Sequence, residues 1–147
     1  MACADSVLER AEAFISGYNY QLTNAAANTS IEIEAGAPKA RTKKALNQAP
    51  AQLFKIVREG SFWKLVLKSD PSKCLDSYWG TTINVVGCGA NNSSQQFEAG
   101  ADNKGRFTLA NVANGKKVLA VNNGNLEFQT KNGSDSQAWK LGAIDSP

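Results

Sequence analysis

The chain has 147 residues, with 16 lysines and arginines against 13 aspartates and glutamates and no histidine, for a formal net charge of +3. That length suits one domain, which buries about 68–70% of its unfolded surface without a metal, and the mild charge falls short of a dedicated nucleic-acid binder. Without histidine, Ser-His-Asp and Cys-His nucleophile systems are excluded, along with the usual near-neutral base and the commonest zinc ligand.

In chain order, the first predicted element is a short amphipathic helix over residues 5–16, within an N-terminal extension of residues 1–17. Val7, Leu8, Ala11, Phe14 and Ile15 share one helical face, Ser6 and Glu9 fit a capping box, and Gly17 can stop the helix. Its simplest role is to cover one end of the following domain, and the competing role is a dimerisation or partner face. Glu9 and Glu12 beside a lone Arg10 make a membrane-surface helix a poor fit. No apolar run reaches the 18 or more residues of a membrane span, and the N-terminus has no basic region followed by an apolar stretch; the expectation is no membrane insertion and no export signal, with cytoplasmic and extracellular locations both open.

Residues 18–147 form the second region, and it repeats. Gln52-Leu53-Phe54, Gln95-Gln96-Phe97 and Gln137-Ala138-Trp139 are separated by 43 and 42 residues. An aromatic-x-Leu opener recurs as Tyr20-Gln21-Leu22, Trp63-Lys64-Leu65 and Phe107-Thr108-Leu109, and Ile31, Leu75 and Leu119 recur at steps of 44. Within each unit apolar and polar residues alternate, broken by Gly, Asn, Asp and Ser turns, which predicts four short strands per repeat over 18–60, 61–104 and 105–144. Three such units cannot close a propeller. They can close an all-β, three-lobed β-trefoil, in which the repeated aromatics and leucines form a shared core. The glutamines are expected to bond local backbone, and Phe54, Phe97 and Trp139 to fill that core.

The Ala35-to-Ala51 stretch is rich in Ala, Pro and Lys. It leaves two alternative readings open: a protease-inhibiting loop, and a polyanion site formed by Lys39, Arg41, Lys43 and Lys44. Asp70, Asp76, Glu98 and Asp102 show no pairing that marks a glycoside-hydrolysing cleft, so the expectation is no catalytic residue, no metal and no cofactor. Cys74 and Cys88 lie 14 apart across a predicted hairpin of the middle repeat. A disulfide there would contribute about 3 kcal/mol through loop closure, and two reduced buried thiols are the alternative. Cys3 is left over, available as a free thiol or a link to a second chain in a homodimer.

One run is more specific than the period: Lys73-Cys74-Leu75-Asp76-Ser77-Tyr78-Trp79-Gly80, then Val85-Val86-Gly87-Cys88, then Ser94-Gln95-Gln96-Phe97. Over residues 18–144 the chain resembles the ricin B-type, QxW-repeat β-trefoil lectins, also called family 13 carbohydrate-binding modules. The resemblance implies a non-catalytic lectin for galactose or N-acetylgalactosamine type glycans. In it the Cys-Leu-Asp aspartate accepts hydrogen bonds from adjacent sugar hydroxyls while an aromatic ring stacks on the sugar's C–H face. Carboxylate acceptors make charge-assisted bonds roughly twice as strong as neutral ones, which suits paired hydroxyl donors.

Carried over, the middle repeat supplies Asp76, Tyr78 or Trp79 as the ring, Ser94 and Gln95. It departs from the pattern at Val86, where a third-strand aromatic is usual, and at Ser94, where Asn is usual. The third repeat has Ala120 at the aspartate position, leaving Asn122, Asn123 and Asn125 as substitute acceptors and Phe128 as the third-strand ring. In the first repeat the acid falls on Glu32, expected to be a solvent-facing strand residue, and the third-strand position near Lys43.

Overall fold

The computed structural model describes residues 14, 16–34, 40–44, 46, 49–77, 83–102 and 104–145. The alternating stretches form twelve strands: β1 (Tyr18–Asn24), β2 (Thr29–Ile33), β3 (Ala40–Lys44), β4 (Phe54–Glu59), β5 (Phe62–Leu67), β6 (Lys73–Asp76), β7 (Asn84–Gly87), β8 (Phe97–Ala101), β9 (Phe107–Asn111), β10 (Val118–Asn122), β11 (Asn125–Gln129) and β12 (Trp139–Asp145).

Six of them close on themselves. β1 pairs with β4, β4 with β5, β5 with β8, β8 with β9, β9 with β12 and β12 with β1, all antiparallel. A closed barrel has no open edge to protect. The other six form three hairpins, β2–β3, β6–β7 and β10–β11, each tied to the barrel by a pairing of its first strand with β1, β5 or β9.

The repeat positions become layers of the core. Tyr20, Trp63 and Phe107 open β1, β5 and β9; Leu22, Leu65 and Leu109 follow two residues later on the same face; Phe54, Phe97 and Trp139 come from the partner strands, and all nine are buried. Ile31, Leu75 and Leu119 add one buried aliphatic from each hairpin. The Trp139 indole spends its N–H on the Leu119 carbonyl at 3.0 Å, so the largest core side chain carries no unpaired donor.

At the barrel end away from the hairpins, Phe14 sits edge-on to all three opener rings, with centroids 5.5, 5.3 and 5.0 Å from Tyr20, Trp63 and Phe107. Edge-to-face contacts place the positive rim of one ring on the negative face of the next, worth about 0.5–1.5 kcal/mol each beyond burial. The expected N-terminal helix lies outside the described residues except for Phe14 and Ser16, which form a bend and a turn. Covering one barrel end therefore falls, among the described residues, to the single Phe14 ring.

Candidate functional site

Each repeat glutamine ends a short 3-10 turn, at Pro50–Gln52, Ser93–Gln95 and Asp135–Gln137, and each is fully buried. Its carboxamide then grips the extended backbone arriving from the third strand of its own lobe. Nε2 donates to the carbonyls of Lys44, Gly87 and Thr130 at 2.9, 2.8 and 2.9 Å. Oε1 accepts from the backbone N–H of Leu46, Gly89 and Asn132, each at 2.9 Å. A buried amide that satisfies two buried backbone groups explains why the residue type recurs at this period.

The second hydrogen on Nε2 differs between lobes, and that difference defines the candidate site. In the middle lobe Gln95 donates to Asp76 Oδ2 at 3.0 Å, and the Ser94 hydroxyl lies 3.1 Å from the same oxygen and 2.8 Å from Asn92 Oδ1, with one hydrogen to share between them. Asp76, last residue of β6, is 3% exposed. Its first duty is thus internal, holding the turn that carries Ser94 and Gln95. A carboxylate has about four acceptor positions, which is the chemistry that suits it to a cluster of hydroxyl and amide donors. Tyr78 and Trp79 lie outside the described residues.

The Cys74–Cys88 disulfide frames this arrangement, with Cα atoms 5.1 Å apart. Cys74 precedes Asp76 by two residues on β6, and Cys88 lies between Gly87 and Gly89, the two backbone groups that Gln95 grips. One covalent bond therefore ties the carboxylate strand to the glutamine's anchor.

In the first lobe the corresponding acid is occupied. Glu32 receives Gln52 Nε2 at 3.2 Å, and both Nε and Nη2 of Arg41, its register partner on β3, at 2.9 Å. Glu32 is half-buried and ion-paired, which corrects the expectation of a solvent-facing residue. Arg41 also reaches Glu34 at 3.2 Å, which removes it as an independent cation from the polyanion cluster. Lys43 and Lys44 are exposed neighbours on β3, whose side chains alternate across the strand; Lys39, with the rest of 35–39 and residues 45, 47 and 48, lies outside the described residues.

In the third lobe Ala120 is fully buried, and Gln137 turns to Gln129 Oε1 at 2.9 Å. Gln129 in turn donates to Glu127 at 2.8 Å, and Asn122 donates to the same carboxylate at 3.4 Å. Glu127 is the register partner of Ala120. The lobe thus has a carboxylate on the opposite strand of its hairpin, which counting along the second strand alone misses. Asn123 (φ 52°) and Gly124 (φ 80°) form the tight turn, a left-handed conformation that explains Asn there, and Asn125 is exposed just after it.

Phe128 is partly buried. Its ring stacks on Phe97, centroids 6.5 Å apart, and packs against the core. Register places it opposite Leu119, as Val85 stands opposite Leu75 and Thr42 opposite Ile31. The third-strand equivalents are therefore Val85 and Thr42, one residue before the expected Val86 and Lys43. The cause is a spacing of 8 residues between gripped carbonyl and glutamine in the first two lobes against 7 in the third.

Two shallow concavities of about 310 and 330 Å³ lie over the β8–β9 hairpin, bordered by Arg106, Thr108, Lys116 and Lys131, and neither includes Asp76.

No protein-family model matches the sequence, and neither does any curated protein sequence. Solved structures do match. A mosquitocidal holotoxin superposes with a TM-score of 0.78 at 17% identity, over 90% of this chain and 18% of its own. SeviL, solved bound to the asialo-GM1 saccharide, gives 0.70 at 15% identity, over 86% of this chain and 97% of its own. A Polyporus squamosus lectin, solved with a human-type influenza-binding epitope, gives 0.70 at 14%, over 88% of this chain and 50% of its own. The fold is a β-trefoil. This chain spans less than a fifth of the holotoxin's length and half of the Polyporus lectin's.

Proposed function

We propose that this β-trefoil is a non-catalytic carbohydrate-binding protein whose main site is the middle lobe, taking galactose or N-acetylgalactosamine type glycans. The observation that carries the reading is the Asp76 carboxylate, fixed at a hairpin end by Gln95 and Ser94 and clamped by Cys74–Cys88. Adjacent sugar hydroxyls donate to that carboxylate, and Tyr78 or Trp79, in the segment that directly follows, supplies the stacking ring. Support comes also from two trefoils of the same fold that were solved with saccharides.

The burial of Asp76 sets a condition on this reading: the ligand has to reach the carboxylate by displacing what covers the hairpin end. The first-lobe acid is already neutralised by Arg41, so that lobe contributes no site. A single polar site binds a monosaccharide weakly, and avidity would come from multivalent display or self-association.

A glycan array on the purified protein, with Asp76→Asn and Trp79→Ala beside the wild type, tests the reading. Signal on terminal galactosides that both variants lose supports it. Unchanged signal in Asp76→Asn removes Asp76 from the site, and no glycan signal from the wild type ends the lectin assignment.

A further inference from the structure

Three equivalent strand pairs of the barrel carry floors that are finished differently. On β4–β5 the paired residues are Val57 and Lys64, and Lys64 is tied to Glu59 at 2.8 Å. On β12–β1 they are Gly142 and Gln21, and the Gln21 side chain crosses to Gln52 and the Leu46 carbonyl. On β8–β9 they are Gly100 and Thr108, and the floor is left open.

That open floor lies where the two concavities meet, because Thr108 and Lys131 line both. A Cβ added at Gly100 would stand 2.9 Å from Thr108 Oγ1 and 3.9 Å from Lys131 Nζ. An ammonium and a hydroxyl therefore converge over a position that only glycine leaves empty. Of the surrounding charges, Arg106 bonds Asp102 at 2.7 Å and Asp135 at 2.8 Å, Lys116 pairs with Glu98, and Lys104 borders the same groove as a second cation. Lys131 makes no ion pair among the described residues. Beside Ser134 the remaining walls are small and aliphatic, chiefly Ala99, Ala110 and Val118, and among the described residues no aromatic ring lines either concavity.

We infer that this groove is a second binding site, for the anionic substituent of an acidic saccharide, a sulfate or a carboxylate. Lys131 Nζ donates to the anion over Gly100, the Thr108 hydroxyl turns to it from its long 3.4 Å bond to the Gly100 carbonyl, and the aliphatic walls take the sugar's C–H surface. A site for single-stranded nucleic acid would want aromatic platforms for base stacking, and the groove has none among the described residues. The inference stands apart from the Asp76 reading, since no residue is shared.

The test is an NMR titration of the full chain with galactose 6-sulfate, galactose and inorganic sulfate, on wild type, Lys131→Ala, Gly100→Ala and a Lys43→Ala/Lys44→Ala double variant. The sulfated sugar should move the amide signals of Gly100, Thr108 and Lys131. Losing the charge-assisted bond should weaken that binding about tenfold or more in Lys131→Ala. Gly100→Ala should weaken it too, while the double variant binds as wild type; melting temperatures check that each variant is folded. Undiminished binding in Lys131→Ala overturns the inference, as does an equal loss in the double variant, which would mean diffuse attraction. Equal affinity for inorganic sulfate alone overturns the saccharide assignment, and shifts confined to Asp76, Ser94 and Gln95 place the sugar in the middle lobe instead.

Discussion

Replacing Gln95 by alanine removes three hydrogen bonds at once: to the Gly87 carbonyl at 2.8 Å, from the Gly89 N–H at 2.9 Å and to Asp76 Oδ2 at 3.0 Å. A neutral bond contributes about 1 kcal/mol net and one to a charged group about 1.5–3, so the loss should be about 4 kcal/mol. Gln137→Ala removes three bonds of matching length, all to neutral groups, Thr130, Asn132 and Gln129. Its cost should be about 3 kcal/mol, and water entering the vacated space lowers both values alike, so the difference of about 1 kcal/mol is the sturdier expectation. Urea unfolding followed by tryptophan fluorescence reads both, since Trp63 and Trp139 are buried. A loss below about 1 kcal/mol in either variant would refute the clamp as a stabilising device. Equal losses in the two would refute the special role given to Asp76.

Phe14→Ala should destabilise the fold by about 3–5 kcal/mol in the same assay, because three opener rings lose their common partner; a change under about 1 kcal/mol would show the barrel end closes without it. Reducing Cys74–Cys88, or replacing both cysteines by serine, should cost about 3 kcal/mol for a loop of this length, and glycan affinity should fall further than that of a surface variant of equal stability. Glu59 is held below its ordinary value of 4.5, chiefly by the hydrogen bond from Lys64 and with help from Gln96. A depressed folded pKa gives stability that is present above the unfolded value and lost as pH falls through the folded one. Lys64→Met should therefore flatten the acid limb of the stability–pH curve, measured by urea midpoints from pH 6 down to 3, and an unchanged acid limb would contradict the assignment.

The architecture was legible because its causes are periodic. Every lobe needs an opener ring, a leucine, a hairpin aliphatic and a glutamine that closes the turn, so one count along the chain finds them all. The disulfide was legible for the same reason, since its cysteines bracket one hairpin. What separates the lobes was not, because it depends on partners across strands. Arg41 neutralising Glu32, and Glu127 standing opposite Ala120, follow from register rather than spacing. The third-strand positions of the first two lobes were counted one residue late, at Lys43 and Val86 instead of Thr42 and Val85, because the third lobe is shorter by one residue. The groove over Gly100 was invisible because it too depends on register: Gly100 and Thr108 are eight residues apart in the sequence, and strand pairing alone brings them together beneath a lysine from a distant loop.

Titration calorimetry with the best galactoside from the array, on wild type and Asp76→Asn, tests the central claim most directly. The asparagine keeps the shape and can still accept from Gln95, so the fold should persist while the charge that receives sugar hydroxyls is gone. A loss of about tenfold or more in affinity, with the protein still folded and less stable by only about 1 kcal/mol for the weakened Gln95 bond, is the result expected here. Equal affinity in the two proteins would contradict it, leaving Asp76 a purely structural brace for the middle lobe.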